Sequence, residues 1–135
     1  NKTVDKYTIY DIKTSTRGWS DYEKKDQTKI NQILLYKRFL SVKLNIPEEK
    51  IDVQFFIVRR KINENAEFVP KRIQEFVPAN GTKKVKDAVD DIQAFVRNVF
   101  TPVGEYQERE YVKSIDNCRF CPYNDRLDLC NRINS

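Results

Sequence analysis

The segment IDVQFFIVRRKI, residues 51–62, places the strongest constraint on the fold. Val53, Phe55 and Ile57 share one face of an extended chain, and Phe56 and Val58 lie on the other, because side chains alternate along a strand. Apolar residues on both faces are typical of a central strand in a sheet that is covered on both sides. We therefore predict such a strand here.

Two segments with helical periodicity predict the helices that cover this sheet. Residues 26–44 form the first, and Asp26 is placed to cap its first turn. Its predicted buried stripe is Ile30, Ile33, Leu34, Tyr36, Leu40 and Leu44. Residues 82–100 form the second helix. Its predicted buried face is Val85, Ala88, Val89, Ile92, Phe95, Val96 and Val99.

Two more strands complete the predicted fold. Residues 7–13 favour extended structure, and residues 67–77 are predicted to return as an antiparallel strand that Pro70 either places at an edge or breaks. The order predicts an α/β fold with a small mixed β-sheet flanked by helices. We divide the chain into a core, residues 1–104, and a Cys-rich irregular tail, residues 105–135, packed on the same domain.

Composition excludes several kinds of chemistry. The 135 residues contain no His, which removes mechanisms with a His base and Cys/His zinc fingers. The formal net charge of +5 favours polyanionic partners, nucleic acid first. No apolar run approaches the length that spans a bilayer, so no membrane partner is expected.

The triplet Asp11-Ile12-Lys13 ends the first predicted strand, whereas the acid-x-Lys triplets at residues 23–25 and 48–50 lie in polar, loop-like segments. Asp11 and Lys13 project to the same face, with Ile12 directed into the core behind them. A carboxylate binds Mg²⁺, and an ammonium group orients water and stabilises phosphate charge. An ordinary ion pair at a strand end explains the same spacing.

Gln32 and Tyr36 lie one helical turn apart and therefore share a face of the first helix. Taken alone, the pair is explained by a solvent-facing Gln and an aromatic residue at the border of the core. Its position one helix after Asp11 and Lys13 makes it a candidate part of the same site.

Three cysteines lie near the C-terminus, Cys118, Cys121 and Cys130, in the segment CRFCPYNDRLDLC. Their spacing suits a soft-ligand site for an iron–sulfur cluster or, alternatively, zinc. Either centre needs a fourth ligand, which we expect to lie outside these residues. Reduced thiols, or one disulfide with a free Cys, are the alternative.

In this order, Asp11-Ile12-Lys13-Thr14, Gln32-Ile33-Leu34-Leu35-Tyr36 and the three cysteines resemble motifs of the PD-(D/E)XK nuclease superfamily. The resemblance is to its branch of RecB-like, AddB-like and CRISPR-adaptation exonucleases, bacteriophage members included, and covers residues 7 to about 131. It implies a restriction-endonuclease-like core and Mg²⁺- or Mn²⁺-dependent hydrolysis of DNA. It also implies a role in DNA repair, recombination or phage DNA metabolism, in the cytoplasm of a bacterium or a phage-infected cell.

The resemblance assigns roles to individual residues. Asp11 and the carbonyl of Ile12 bind the metal, Lys13 positions the attacking water, and Gln32 and Tyr36 orient the DNA strand or support Lys13.

In the loop after this strand, Arg17 is expected to contact a phosphate and Trp19 to stack on a base. Further backbone contacts are expected from Arg59, Arg60, Lys61, Lys71 and Arg72. For these five residues a plain solvated surface is the alternative.

Three parts of the family pattern have no counterpart upstream of Asp11: an Asp on the preceding strand, a helical Glu and a first cluster Cys. Asp5 lies too close to Asp11 to stand on a separate paired strand. We expect these groups to precede Asn1, in an N-terminally incomplete chain. The missing N-terminal segment or other subunits are the further partners that we expect. The alternatives are a degenerate relative, a non-catalytic nucleic-acid-binding or assembly module on this fold, and a zinc-stabilised interaction domain.

Overall fold

The structure is a computed structural model that describes residues 2–3, 6–108, 118, 121–123 and 126. The chain divides into two compact units, residues 1–96 and 97–135. The candidate site lies in the first unit. Among the described residues, no helix has both the length and the apolar character that crossing a membrane requires.

The described part of the chain forms a mixed α/β arrangement. The strands are β1 (Lys2–Thr3), β2 (Lys6–Ser15), β3 (Ile51–Arg59) and β4 (Ile73–Phe76), and the helices are α1 (Gln27–Leu44) and α2 (Thr82–Val99). Both helices begin and end within one residue of the predicted bounds. β2 is longer than predicted and extends to Ser15.

Local chemistry explains the bounds of α1. The Asp26 carboxylate accepts hydrogen bonds from the backbone N–H groups of Thr28 at 3.0 Å and Lys29 at 3.4 Å, as predicted for an N-cap. At the other end Asn45 adopts the left-handed conformation with φ of 51°, which ends the helix.

The sheet has the strand order β1-β2-β3-β4. β2 and β3 run parallel, and α1 forms the connection between them. β4 pairs with β3 in the antiparallel sense at the edge, as predicted for the return strand, but it begins at Ile73, beyond Pro70, and is shorter than predicted. The parallel register places Asp11 opposite Phe55 and Lys13 opposite Ile57.

One face of the sheet carries the core. The buried cluster is Trp19, Ile33, Leu34, Val53, Phe55, Ile57, Val85 and Ala88. Phe55 lies at its centre, with ring centroids 5.0 Å from Trp19 and 6.1 Å from Phe76. β3 supplies Val53, Phe55 and Ile57, the loop after β2 supplies Trp19, and each helix supplies two residues. Both helices therefore pack on the same face of the sheet.

The opposite face is open, so the prediction of a sheet covered on both sides is wrong for the described residues. Tyr10, Ile12 and Ile73 are exposed on this face, and Phe56 is only partly buried. Tyr10 and Phe56 stack on each other across the parallel strands, with ring centroids 4.8 Å apart. Both helices pack on the face of the sheet that carries the core. The face that carries Tyr10 and Ile12 therefore has no covering layer among the described residues.

The buried faces of the helices are narrower than predicted. In α1 the buried residues are Ile33, Leu34, Lys37 and Ser41, whereas Tyr36 and Leu44 are exposed. In α2 the buried residues are Val85 and Ala88, whereas Ile92, Phe95 and Val96 are exposed. An 18-residue helix is about 27 Å long, and only the first turns of α2 reach the core cluster.

Lys37 is a buried cation that the sequence patterns did not identify. Its side chain is 4% exposed, and Nζ donates to both the backbone carbonyl and the Oδ1 of Asn80, each at 2.8 Å. Burial lowers the pKa of Lys37, and the acidic groups of Asp52, Glu48 and Glu49 partly oppose this effect.

The lowered pKa of Lys37 predicts a pH dependence of stability. The folded chain releases this proton before the unfolded chain, whose Lys pKa is about 10.4. Between these two pKa values the unfolded state binds more protons, so the free energy of unfolding rises with pH. We expect the wild type to gain stability relative to Lys37→Met as pH rises through this window, measured by urea denaturation.

The exposed Lys43 in the last turn of the same helix supplies the control. The stability difference between wild type and Lys43→Met should change little over the same pH range. A difference for Lys37→Met that is equally independent of pH would contradict the assignment.

Candidate active site

Asp11 and Lys13 share one face of β2, as their spacing predicts, and this face is the one that the helices cover. Lys13 Nζ is 3.0 Å from Asp11 Oδ2, and the side chains are 28% and 14% exposed respectively. They stand inside β2, since the strand continues to Ser15, and not at its end as predicted. A position within a paired strand fixes both backbones and leaves little freedom to separate the two groups.

The α1 helix brings Gln32 and Tyr36 to the same place. Lys13 Nζ donates to Gln32 Oε1 at 2.7 Å, and Gln32 Nε2 donates to Tyr36 Oη at 3.0 Å. The four predicted residues therefore form one continuous chain of polar contacts, from Asp11 through Lys13 and Gln32 to Tyr36. The Gln32 amide is oriented by an ammonium on one side and a phenol oxygen on the other.

One oxygen atom in this series of contacts lacks a hydrogen-bond donor among the described residues. Asp11 Oδ2 is closed off from solvent and accepts no hydrogen bond from any described residue. The 3.0 Å contact with Lys13 Nζ is close enough for an ion pair, but the hydrogen bond from Lys13 goes to Gln32. A buried carboxylate oxygen without a hydrogen bond is costly, and it retains lone pairs for a further ligand.

The backbone of Ile12 lies on the outer edge of β2. Arg60 N donates to Ser15 O at 2.8 Å, so the odd-numbered residues of β2 turn their backbone groups toward β3. The residues between them point the other way. Among the described strands only β1 reaches that edge, and it pairs with Lys6 and Tyr7 alone. The Ile12 carbonyl is therefore on an edge that no described strand occupies.

The side chain of Ile12 corrects a prediction. It is 67% exposed on the open face of the sheet, and not directed into the core. The physical reason is that Asp11 and Lys13 already occupy the helix-covered face, and alternation sends Ile12 to the other.

A divalent metal ion fits the oxygen donors at this site. Mg²⁺ is commonly held by one or two carboxylates, with water and substrate phosphates completing the shell. Asp11 Oδ2 and the Ile12 carbonyl are donors of this kind. Within the described residues there is no group of three or more His, Cys, Asp or Glu that could hold a metal ion.

Trp19 is not available to stack on a base, so the role predicted for it is wrong. Its side chain is 7% exposed and packs in the core against Phe55 and Phe76. The side-chain amide of Gln74 forms two hydrogen bonds with the Trp19 backbone: Oε1 accepts from Trp19 N at 2.7 Å, and Nε2 donates to Trp19 O at 3.0 Å. Lys29 Nζ lies 5.1 Å from the centre of the indole ring.

The predicted DNA-contacting cations gather where β2 and β3 end. Arg59 is partly buried and holds the segments around it, because its Nε donates to Arg17 O at 3.0 Å and its Nη1 to Lys71 O at 2.6 Å. Arg60 Nη2 donates to Thr16 Oγ1 at 3.0 Å. The other members, Arg17, Lys61, Lys71 and Arg72, are exposed.

The cysteines fall in the second unit. Cys118 and Cys121 are partly buried free thiols in one turn, where Cys121 N donates to Cys118 O at 3.1 Å. Cys130 lies outside the described residues. The iron–sulfur or zinc centre therefore stays a prediction.

Comparison with protein-family models, curated proteins and solved structures finds no match to this chain. The functional assignment therefore rests on the geometry of the residues themselves.

Proposed function

We propose that the chain belongs to a metal-dependent DNA nuclease of the PD-(D/E)XK type, with a restriction-endonuclease-like core. The observation that carries the proposal is the contact chain Asp11–Lys13–Gln32–Tyr36. Its members come from two motifs that lie 19 residues apart at the Lys13–Gln32 contact. Neither motif alone requires that contact, so their meeting supports a shared purpose.

The reaction proposed is hydrolysis of a phosphodiester. The oxygen of a water molecule bonds to phosphorus and that water releases a proton to solvent. The bond from phosphorus to the leaving oxygen breaks, and the leaving oxygen takes up a proton from solvent. Bound Mg²⁺ or Mn²⁺ would supply Lewis-acid polarisation of the scissile phosphate. Asp11 and the Ile12 carbonyl would hold it.

Lys13 directs its charge at the reacting phosphate. Its ammonium group has three N–H groups. One donates to Gln32 and another faces Asp11, so a third is left for the attacking water or a phosphate oxygen. Gln32 fixes the direction of that ammonium group. Tyr36 accepts from Gln32 and is 45% exposed, so its own O–H can donate to the DNA strand. Fixed donors of this kind stabilise developing charge without having to reorganise.

The expected partner is DNA, held in addition by the cations at the ends of β2 and β3. The cysteines, Cys118, Cys121 and Cys130, would bind an iron–sulfur cluster, or zinc as the alternative, with one ligand from elsewhere. That centre would couple folding of the tail to metal binding.

Asp11→Asn tests the metal site. The amide keeps the size of the side chain but removes the charge that attracts the cation, so the Mg²⁺ concentration for half-maximal hydrolysis of linear DNA should rise at least about 10-fold. Asp52→Asn is the matched control, because Asp52 is half-exposed on the neighbouring strand and lies outside the contact chain. Wild-type hydrolysis that continues in EDTA, or an Asp11→Asn protein with an unchanged metal requirement, would refute the assignment.

A second candidate function is DNA binding without hydrolysis. It is favoured by the single carboxylate at the site, since no described group of three acidic or Cys ligands accompanies it. Salt-sensitive DNA binding by the wild type, with no hydrolysis in Mg²⁺ or Mn²⁺, would select this candidate over the nuclease.

A further inference from the structure

We propose that a pocket at the ends of β2 and β3 binds one phosphate group of the DNA strand, a few nucleotides from the scissile phosphate. The pocket has a volume of about 400 Å³ and is lined by Arg17, Lys61, Ile62, Asn63 and Pro70. The stated distance between the pocket and the scissile phosphate rests on the proposed function. The preference of the pocket for an anion does not depend on it.

The polar groups of the pocket are donors. Arg17 contributes a guanidinium group and Lys61 an ammonium group, and neither forms an ion pair with a described residue. Asn63 Oδ1 accepts from Asn65 N at 3.2 Å, so its amide N–H₂ remains as a donor. None of the described residues that line the pocket is acidic. An oxyanion matches this set, and a guanidinium group suits phosphate geometry in particular.

The loop that carries Arg17 is rigidly built. Arg59 Nε holds Arg17 O, and Ser15 Oγ donates to Gly18 O at 2.8 Å. Gly18 has φ of +97°, and a Cβ there would lie 2.6 Å from Arg59 Nε and 2.8 Å from the Oε1 of Gln74. Glycine therefore permits both the backbone conformation and the close approach of the two side chains that fix the loop.

The segment that carries Lys61 is tied to the same loop through the backbone. Lys61 N donates to Thr16 O at 3.0 Å, next to the bond from Arg60 N to Ser15 O. Both cations thus project from fixed backbones, while their side chains are exposed. Fixed backbones reduce the entropy lost when a ligand is bound.

The position of the pocket relates it to the candidate active site. Arg17 follows Lys13 by four residues, and a strand rises about 3.3 Å per residue, so the two Cα atoms are at most about 13 Å apart. A B-form strand carries one phosphate per about 3.4 Å of helix axis, which makes this span about four nucleotides, and fewer in an extended strand.

Binding of a fluorescent single-stranded oligonucleotide in EDTA, followed by anisotropy over a range of salt concentrations, tests the pocket without hydrolysis. The slope of log affinity against log salt is negative. If Arg17 and Lys61 share one phosphate, then Arg17→Gln, Lys61→Gln and the double variant should each make this slope shallower by about 0.7. The charge-matched control is the double variant Lys43→Gln and Lys84→Gln, on exposed helix positions. A double-variant slope change of about 1.4, or one no larger than the control's, would overturn the proposal.

Three oligonucleotides distinguish the source of the phosphate: one with a 5′-phosphate, one with a 3′-phosphate, and a closed circle without ends. An effect with only one of the linear forms identifies a terminal phosphate, and an effect with all three identifies an internal one. Both results support the pocket, whereas an effect with none overturns it. A protein that binds in this way but does not hydrolyse DNA in Mg²⁺ would refute the nuclease and leave the pocket standing. Hydrolysis of DNA in Mg²⁺, with no effect of either pocket substitution on binding, would refute the pocket and leave the nuclease standing.

Discussion

Lys13→Met should lower the rate of metal-dependent hydrolysis of linear DNA by about 100-fold to 1,000-fold. The substitution keeps a long flexible side chain but removes the ammonium group that lies 3.0 Å from Asp11 Oδ2 and donates to Gln32. Loss of one fixed donor at the site of developing charge typically costs this much in rate. The rate should be measured at saturating DNA and saturating Mg²⁺, so that chemistry and not binding is compared.

Lys6→Met provides the control for this substitution. Lys6 lies on the same strand, but its side chain is 64% exposed and Nζ lies 4.0 Å from Asp52 Oδ2 in an exposed ion pair. Its loss should leave the rate within about twofold of wild type, because exposed ion pairs contribute little. Circular dichroism of both variants should match the wild type. A folded Lys13→Met protein that hydrolyses DNA at the wild-type rate would remove Lys13 from the mechanism.

Phe55→Ala should destabilise the fold by about 3–5 kcal/mol, the range seen when a fully buried aromatic residue is truncated. Phe55 has no exposed surface, and its ring lies between Trp19 and Phe76. Truncation removes that apolar contact and leaves a cavity under β2 and β3, beside the strand that carries Asp11. Urea or guanidinium denaturation measures the effect directly.

Phe56→Ala is the matched comparison, one residue further along β3. Phe56 points to the open face, where Tyr10 is the one described aromatic residue that stacks on it, so its loss should cost about 1 kcal/mol. Equal effects of the two substitutions would mean that the open face is covered in solution as fully as the core.

The meeting of Asp11, Lys13, Gln32 and Tyr36 could be predicted because it depends on local periodicity. Strand alternation puts Asp11 and Lys13 on one face, and a helical turn puts Gln32 above Tyr36. The helix that follows a strand packs back onto it, which brings the two pairs together. The N-cap at Asp26 was predictable for the same reason, since it involves only the next three residues.

The misplaced residues depend on partners that are distant in sequence. Trp19 stands in a polar segment, and its burial requires Gln74, which is 55 residues away and offers no signal beyond one amide in a short strand. Lys37 shares a stripe with Ile33 and Ser41 at four-residue spacing, but its acceptor is Asn80, in the segment before α2. The sequence around Lys37 gives no sign of that acceptor, and the aromatic ring of Trp19 in a polar loop led to the prediction of base stacking.

The alternation along β2 also limits how this strand can change in length. Removing or adding a single residue between Tyr7 and Asp11 would exchange the two faces, so that Ile12 entered the helix layer and Asp11 and Lys13 turned to solvent. A change of two residues would restore the faces but move both charged groups along the sheet, away from Gln32. Homologous chains with the same activity should therefore vary in the loops at either end of β2, while the count of residues within it stays constant.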